Sequence, residues 1–435
     1  MDTTVTAEVD FDVIVAGAGI AGSVTAYRLA LHGHSVLLVE RGPSPGSKNL
    51  SGGVFYCRVM EEAMPGFLLS APIERRITRN CLSFLSESSF VNLDYADDRL
   101  AQSVTAVSVL RAKLDEWLAA QCEEAGVVLM PGVRVDALVT EDGRVTGIRA
   151  GGDELRAHVV VAADGVNSLL CRQAGVRGPE PLKHLAVGVK SVIGLPRRVI
   201  EERFNLTGDS GAAYAIVGDC TKDLGGGGFL YTNRESLSVG VVLRLDDLAR
   251  SGESSAELHD RFLTHPVMEA FLRDGELLEY GCHLVAEGGL AMAHDLTRPG
   301  LVVVGDAAGL TLNTGFTVRG MDLAAGSALA AAGVVDAALK RGDYSQEALD
   351  AYPRELDKIF VGKDMRTFRR APLFLENPRM YGDYGRLLSD IMYGVYNLDT
   401  TPRRHLAAGA GDALKNSPLA LLPTIRDALA GVRAL

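Results

Sequence analysis

Residues 11–40 read FDVIVAGAGIAGSVTAYRLALHGHSVLLVE, and this stretch decides the fold. FDVIVA is a short β-rich run. It empties into Gly17-Ala18-Gly19-Ile20-Ala21-Gly22, and a helical pattern follows with Val24, Tyr27 and Leu31 on one face. A second apolar run, 35–39, ends in Glu40. Strand, glycine turn, helix and acid-tipped strand make a βαβ unit that opens a parallel sheet. In such a turn the first glycine permits the tight bend, the second lets the backbone approach a diphosphate, and the third lets helix and strand pack closely. The free N–H groups and dipole of the helix N-terminus favour negative charge there. Glu40 is placed to accept hydrogen bonds from ribose hydroxyls. With 48 glycines in 435 residues a chance Gly-x-Gly-x-x-Gly is not rare. Its position between a strand and a helix is what gives it weight.

Two later stretches repeat the delivery of a polar turn to the sheet edge. VVVAADGVNSLL (159–170) ends an apolar strand in Ala163-Asp164-Gly165, although an ordinary Asp-Gly turn reads the same way. LVVVGDAAGLTLNTGFTVRGMDLAAGSALAAA (301–332) ends a strand in Gly305-Asp306. It then passes through Gly315, Phe316 and Thr317 into a helix beginning near Arg319-Gly320-Met321. Asp306 is placed to hold a sugar-alcohol hydroxyl, and the helix N-terminus to face a ring that gains negative charge.

Around these motifs the pattern predicts an α/β chain. A parallel sheet with helices spans 1–181, a mainly antiparallel domain interrupts it at 182–285, the first domain resumes at 286–340, and 341–435 is helical. A helix is expected over 107–123, strands at 127–130 and 134–150 around an EDGR turn, and the glycine run 225–228 between two strands. The net charge of −11 sets aside a nucleic-acid partner. The N-terminus has no positive, apolar leader pattern, and the longest apolar runs (301–304, 323–335) fall short of the roughly 20 residues of a membrane span. Six cysteines, at 57, 81, 122, 171, 220 and 282, show no Cys-x-x-Cys spacing, so no metal site or iron–sulfur cluster is expected. They fit a reducing cytoplasm. His184, His259, His265, His283 and His294 have no partner at metal or triad spacing and read as surface or core residues. Tyr214 and Tyr231 either line a cavity or pack.

The three elements, in this order, resemble the FAD-dependent oxidoreductases of the para-hydroxybenzoate-hydroxylase type. GSKNLSGGVFY (46–56), DCTKDLGGGGFLYTNRESLSVGVV (219–242), LNTGFTVRGMDLA (312–324) and RRAPLFLENPRM (369–380) resemble FixC proteins, relatives of electron-transfer-flavoprotein–quinone oxidoreductase. The likeness runs over about 11–392. It implies FAD as cofactor, with Gly17, Gly19, Ile20, Ala21, Gly22, Glu40 and Arg41 on its ADP half. It implies that Lys48, Asn49, Ser51, Gly52 and Gly53 pass close to the isoalloxazine and that Arg111 contacts the cofactor. Ala163, Asp164 and Gly165 stand at the sheet edge. Gly305, Asp306, Gly315, Phe316, Thr317, Gly320 and Met321 match the ribityl and pyrimidine contacts. The function implied is transfer of electrons from an electron-transfer flavoprotein through FAD to a quinone or a ferredoxin-like partner. The place implied is the cytoplasm, with peripheral contact at the inner face of the membrane left open. The iron–sulfur domain of the longer quinone oxidoreductases has no counterpart here, and neither has a second glycine unit for NAD(P). Two alternatives stand beside this reading: a tailoring reductase, dehydrogenase or hydroxylase acting on a small molecule, and a non-catalytic FAD-binding protein. Against a polyprenyl reductase, the stretch FLYTN (229–233) lacks the proline and tryptophan of those enzymes.

Overall fold

The βαβ unit forms where the sequence places it, as strand Phe11–Ala16, helix Ile20–Leu31 and strand Val36–Glu40. A computed structural model describes residues 9–49, 53–403 and 405–435 of the protein. The first sheet runs in the order Thr297–Arg298, Leu301–Val303, Asp153–Ala162, Phe11–Ala16, Val36–Glu40, Val128–Pro131. Along this path all neighbours after the antiparallel edge strand are parallel, and off it the hairpin Val135–Glu141 and Arg144–Ala150 joins the start of Asp153–Ala162 antiparallel. The chain leaves Phe11–Ala16 on one side and returns on the other, so the strand order reverses between Phe11–Ala16 and Asp153–Ala162. Ligands bind at the C-terminal strand edges beside such a reversal. Val13, Ile14, Val15 and Val159 to Val161 are fully buried, as strands covered on both faces must be. Helices Ile20–Leu31 and Arg111–Glu124 pack against this sheet and each other, and Met321–Arg341 packs on Ile20–Leu31. Leu31, expected on the packed face, is 53% exposed at the end of its helix, while Val24 and Leu29 are buried.

The second sheet is wider than the stretch 182–285. Five of its nine strands come from there, and four (Gly53–Tyr56, Ile73–Leu85, Phe90–Ala96, Ala106–Val109) come from earlier in the chain. Every pairing in it is antiparallel except Ile73–Leu85 with Ser210–Gly218. Arginine at core positions hides the earlier strands. Arg75 is 1% exposed, and its Nε donates to the Asn233 carbonyl at 2.7 Å while Nη1 donates to that of Ser210 at 3.0 Å. The helix expected over 107–123 begins only at Arg111, because Ala106–Val109 pairs between two strands and Leu110 stays extended as the helix cap. The run 225–228 is likewise not a connection. Gly226–Thr232 is a strand, and a Cβ on Gly226 would stand 1.9 Å from the Val242 carbonyl oxygen. The EDGR turn forms, with Asp142 and Gly143 both at positive φ as a two-residue hairpin turn requires.

Helices follow from Met321 to Ala434. Among the described residues Met321–Arg341 alone is long and apolar enough to cross a bilayer, and 67% of its most apolar 18 residues are buried inside the protein. It is a core helix, with Leu323, Ala325, Ala328 and Val335 fully enclosed.

Candidate functional site

The C-terminal edge of the first sheet and one face of the second enclose a cavity of about 550 Å³. Its geometry starts at the glycine turn. Gly17 leaves its strand at φ +113°, and a Cβ on it would stand 2.3 Å from the Ala163 carbonyl oxygen. A Cβ on Gly22 would stand 1.8 Å from the Gly17 carbonyl oxygen. These two glycines let two strands and a helix converge. Gly19 differs: its φ is −80°, and a Cβ there would meet only Arg111 Nη2, at an ordinary 3.6 Å. The protein itself has no need of glycine at this position, which faces the cavity with Ile20 and Ala21. Both belong to the helix's first turn, whose N–H groups have no partner within the helix. Glu40 fastens the turn: one carboxylate oxygen accepts from the Ala18 N–H at 3.0 Å and the other from the Gly42 N–H at 2.7 Å. Arg41 lines the cavity beside it.

Arg111 opens the helix behind Gly19. Its Nε and Nη2 donate to the fully buried Asp115 at 2.9 and 2.8 Å. Asn49 Nδ2 donates to the same carboxylate at 2.5 Å, so the loop before it is drawn onto the helix start. Burial opposes the charge on Arg111. The Asp115 carboxylate, helped by Asp306, more than compensates and lifts the guanidinium above its ordinary pKa. Lys48, Asn49 and Gly53 line the cavity. Ser51 and Gly52 lie outside the described residues.

Two carboxylates at the sheet edge face the cavity with acceptors to spare. Asp164 takes the Leu170 N–H on one oxygen at 3.0 Å, and its other oxygen is buried without a hydrogen-bond partner. Burial raises its pKa. Asp306 is raised by burial too, against the pull of Arg111, and its carboxylate has no hydrogen bond among the described residues. Ala163 and Gly165 flank the first of these and line the cavity. Gly315, Phe316 and Thr317 form the tip of a small hairpin between Leu312–Asn313 and Val318–Arg319, with Phe316 63% exposed. With Gly320 and Met321 they close the same cavity. Two expected contacts do not reach it. Gly22 packs behind the turn, and Gly305 lies against helix Ile20–Leu31, where a Cβ would meet Ala21 Cβ at 2.8 Å.

The sequence reading missed most of the wall supplied by the second sheet. Phe229 and Tyr231 stack with ring centroids 5.1 Å apart, and Lys190 Nζ stands 5.4 Å from the Phe229 ring centre. Tyr56, Arg244, Glu287 and Tyr381 complete that side. Burial raises the Glu287 carboxyl, which accepts from Asn313 Nδ2 at 3.0 Å. The available signal was glycine in register beside strand residues, as at Gly188, Gly228 and Gly240, which leaves room for large neighbours. Tyr231 lines the cavity and so does Tyr214, which is 6% exposed and also packs against Phe204 and Phe271. Of the histidines, His283 lines the cavity, whereas His184 and His294 both approach Glu180, His259 is buried on Ser191 and His265 caps a short helix. Among the described residues no cluster of three or more His, Cys, Asp or Glu could hold a metal ion.

A dinucleotide fits this site on two observations of the chain itself. Gly19 is open to the cavity where the helix amides are free, and Asp164 holds an orphaned buried acceptor that a hydroxyl would satisfy. Residues 12–177 match the family described as FAD dependent oxidoreductase. The chain is 47% identical to the probable electron transfer flavoprotein-quinone oxidoreductase YdiS of Escherichia coli K12, over 98% of this chain and 99% of that one. It is 45% identical to Protein FixC of Salmonella typhi, over 89% and 91% of the two chains. Among solved structures, a geranylgeranyl bacteriochlorophyll reductase-like protein from Thermoplasma acidophilum superposes with a TM-score of 0.69 at 22% identity, covering 96% and 98%. That last likeness shows the fold alone. Full-length identity at this level, joined to the glycine turn and the two sheet-edge carboxylates, places the chain in the family of FixC and electron transfer flavoprotein–quinone oxidoreductases, FAD-dependent oxidoreductases of electron transfer.

Proposed function

We propose that this enzyme takes electrons from an electron-transfer flavoprotein and passes them through its FAD to a quinone or a ferredoxin-like acceptor. The observation that carries the reading is the 47% identity, end to end, with a probable electron transfer flavoprotein-quinone oxidoreductase. FAD, when bound, supplies the redox chemistry, and the chain supplies orientation, charge and exclusion of water. In this reading Gly17, Gly19, Ile20 and Ala21 hold the diphosphate, with Glu40 and Arg41 at the adenosine end. Asp164 and Asp306 accept from the cofactor's hydroxyls, and Arg111, kept charged by Asp115, offsets its negative charge. Lys48, Asn49, Gly53, the tip Gly315 to Thr317, Gly320 and Met321 enclose the redox-active ring. The enzyme works in the cytoplasm, with peripheral contact at the membrane's inner face. The exposure of Tyr393, Tyr396, Leu398, Leu422 and Val432 (68–83%) on the C-terminal helices and their connections supports that contact. Anaerobic stopped-flow spectroscopy of the flavin band tests the donor. Reduced electron-transfer flavoprotein is expected to bleach it rapidly, and NADH or NADPH slowly. Rapid bleaching by NADPH alone, at a turnover-like rate of about 1–1000 per second, would overturn the protein-donor reading.

A further inference from the structure

Strand Leu185–Gly194 brings Ala186, Gly188 and Lys190 to the cavity wall. Lys190 stands in register between Gly240 on one neighbouring strand and Gly281 on the other, so bare backbone flanks it on both sides. The Phe229 ring fills the space that Gly240 leaves: a Cβ on Gly240 would stand 2.6 Å from that ring. Glycine flanks and an aromatic wall therefore fix the course of a long cationic side chain beside the cavity. A second cation, Arg111, faces the same space from the opposite sheet's helix. The other titratable or charged groups lining the cavity from the elements around Lys190 are His283, Glu287, Arg244, Lys183, Tyr231, Tyr214, Tyr56 and Asp306. Burial, with the nearby Arg111 charge adding to it, lowers the Lys190 pKa to about 8. An ammonium so placed is close to losing its proton near neutral pH. A nearby negative charge would restore it.

We propose that Lys190 is the charge-compensating residue of the redox reaction, taking up a proton at Nζ as the bound flavin gains two electrons and releasing it when they leave. Above about pH 8, where Nζ starts neutral, the balance is two electrons from the donor and two protons from solvent, one to the flavin, giving its reduced anion, and one to Lys190; below it Nζ already holds its proton, one proton goes to the flavin, and the standing ammonium offsets the new charge. Reoxidation returns the protons taken up and passes both electrons on. By reciprocity, a charge whose pKa rises on reduction makes reduction easier. The inference needs bound FAD and does not depend on which donor or acceptor is used, so failure of the donor comparison would leave it standing.

The test is a redox titration of the FAD-loaded full chain, with mediators and dithionite, from pH 6.5 to 9.5. Each proton taken up makes the two-electron reduction constant fall about tenfold per pH unit, about 30 mV. With Lys190 present, the fall is expected to steepen from about tenfold to about 100-fold per unit as pH rises through about 8, the pKa of the oxidised protein. Lys190→Arg, which keeps its charge at every pH tested, is expected to remove the break while staying easily reduced at pH 7. Lys190→Met is expected to remove the break and to lower the constant at pH 7 at least tenfold. Absence of the break in the unaltered protein, or its persistence in either variant, overturns the proposal. Should Lys190→Met not retain FAD, Lys190→Arg decides alone by the presence or absence of the break.

Discussion

Gly19 and Gly22 look alike in the sequence and do different work in the structure, and substituting each separates binding from folding. A methyl at Gly22 would lie 1.8 Å from the Gly17 carbonyl oxygen and 3.2 Å from Ala163 Cβ, both in rigid surroundings. Gly22→Ala must push the helix off the sheet edge. Overpacking of this kind costs about 1–3 kcal/mol, which for a chain this large lowers Tm by several degrees. A side chain at Gly19 meets only the end of Arg111 at 3.6 Å, in a backbone conformation that any residue adopts. Gly19→Val then costs the apo-protein little more than a poorer helix cap, about 1 kcal/mol. It occupies the space in front of the helix amides, however. Losing one charge-assisted hydrogen bond to a diphosphate costs about 1.5–3 kcal/mol, so FAD affinity should fall roughly tenfold to 150-fold. Both quantities are measured on apo-protein, Tm by scanning fluorimetry without FAD and affinity by quenching of flavin fluorescence. The reasoning fails if Gly19→Val binds FAD within threefold of the parent, or if it lowers the apo Tm as far as Gly22→Ala does.

Arg111→Met should destabilise the apo-protein by about 3–5 kcal/mol, because the fully buried Asp115 loses its cation. Adding Asp115→Asn should restore most of that in urea unfolding without restoring FAD affinity. A thiol reagent should label one cysteine per native chain, Cys282, since the other five are buried and six should react only after unfolding; rapid labelling of two or more would contradict this packing. His259 is held neutral by burial down to about pH 4, against 6.5 in the unfolded chain. Below pH 6.5 the unfolded chain therefore binds a proton that the folded one refuses, and stability should fall toward pH 4 by an amount on the order of 3 kcal/mol and level off below it. His259→Gln, which keeps a polar group for Ser191, should flatten that part of the Tm–pH curve.

Local pattern carried the first sheet because its signals are local. An apolar run, a glycine turn and an acid within 30 residues need one another and nothing else. The two Asp-bearing turns were legible for the same reason, each ending a run of valines. The second sheet depends on contacts far apart in sequence. Ala106–Val109 carries too few residues to outvote the helix pattern that follows, and only pairing with Gly53–Tyr56 and Ile73–Leu85 makes it a strand. Arg75 reads as a surface residue until its guanidinium is seen among backbone carbonyls. Lys190 escaped notice likewise, because its meaning lies in Gly240, Gly281 and Phe229, residues brought beside it by folding. Glu40 was legible as an acid at a strand end, but its two backbone hydrogen bonds appear only once the turn closes.

Electron density for the cofactor in crystals of the FAD-loaded protein addresses the site most directly. The diphosphate should lie against Gly19, Ile20 and Ala21 at the start of the helix, with the adenosine toward Glu40. The ring system should reach the space bounded by Lys190, Tyr231 and the hairpin tip Gly315 to Thr317. FAD found outside this cavity, or lying in it with the adenosine at the Lys190 end, would contradict the assignment of the site.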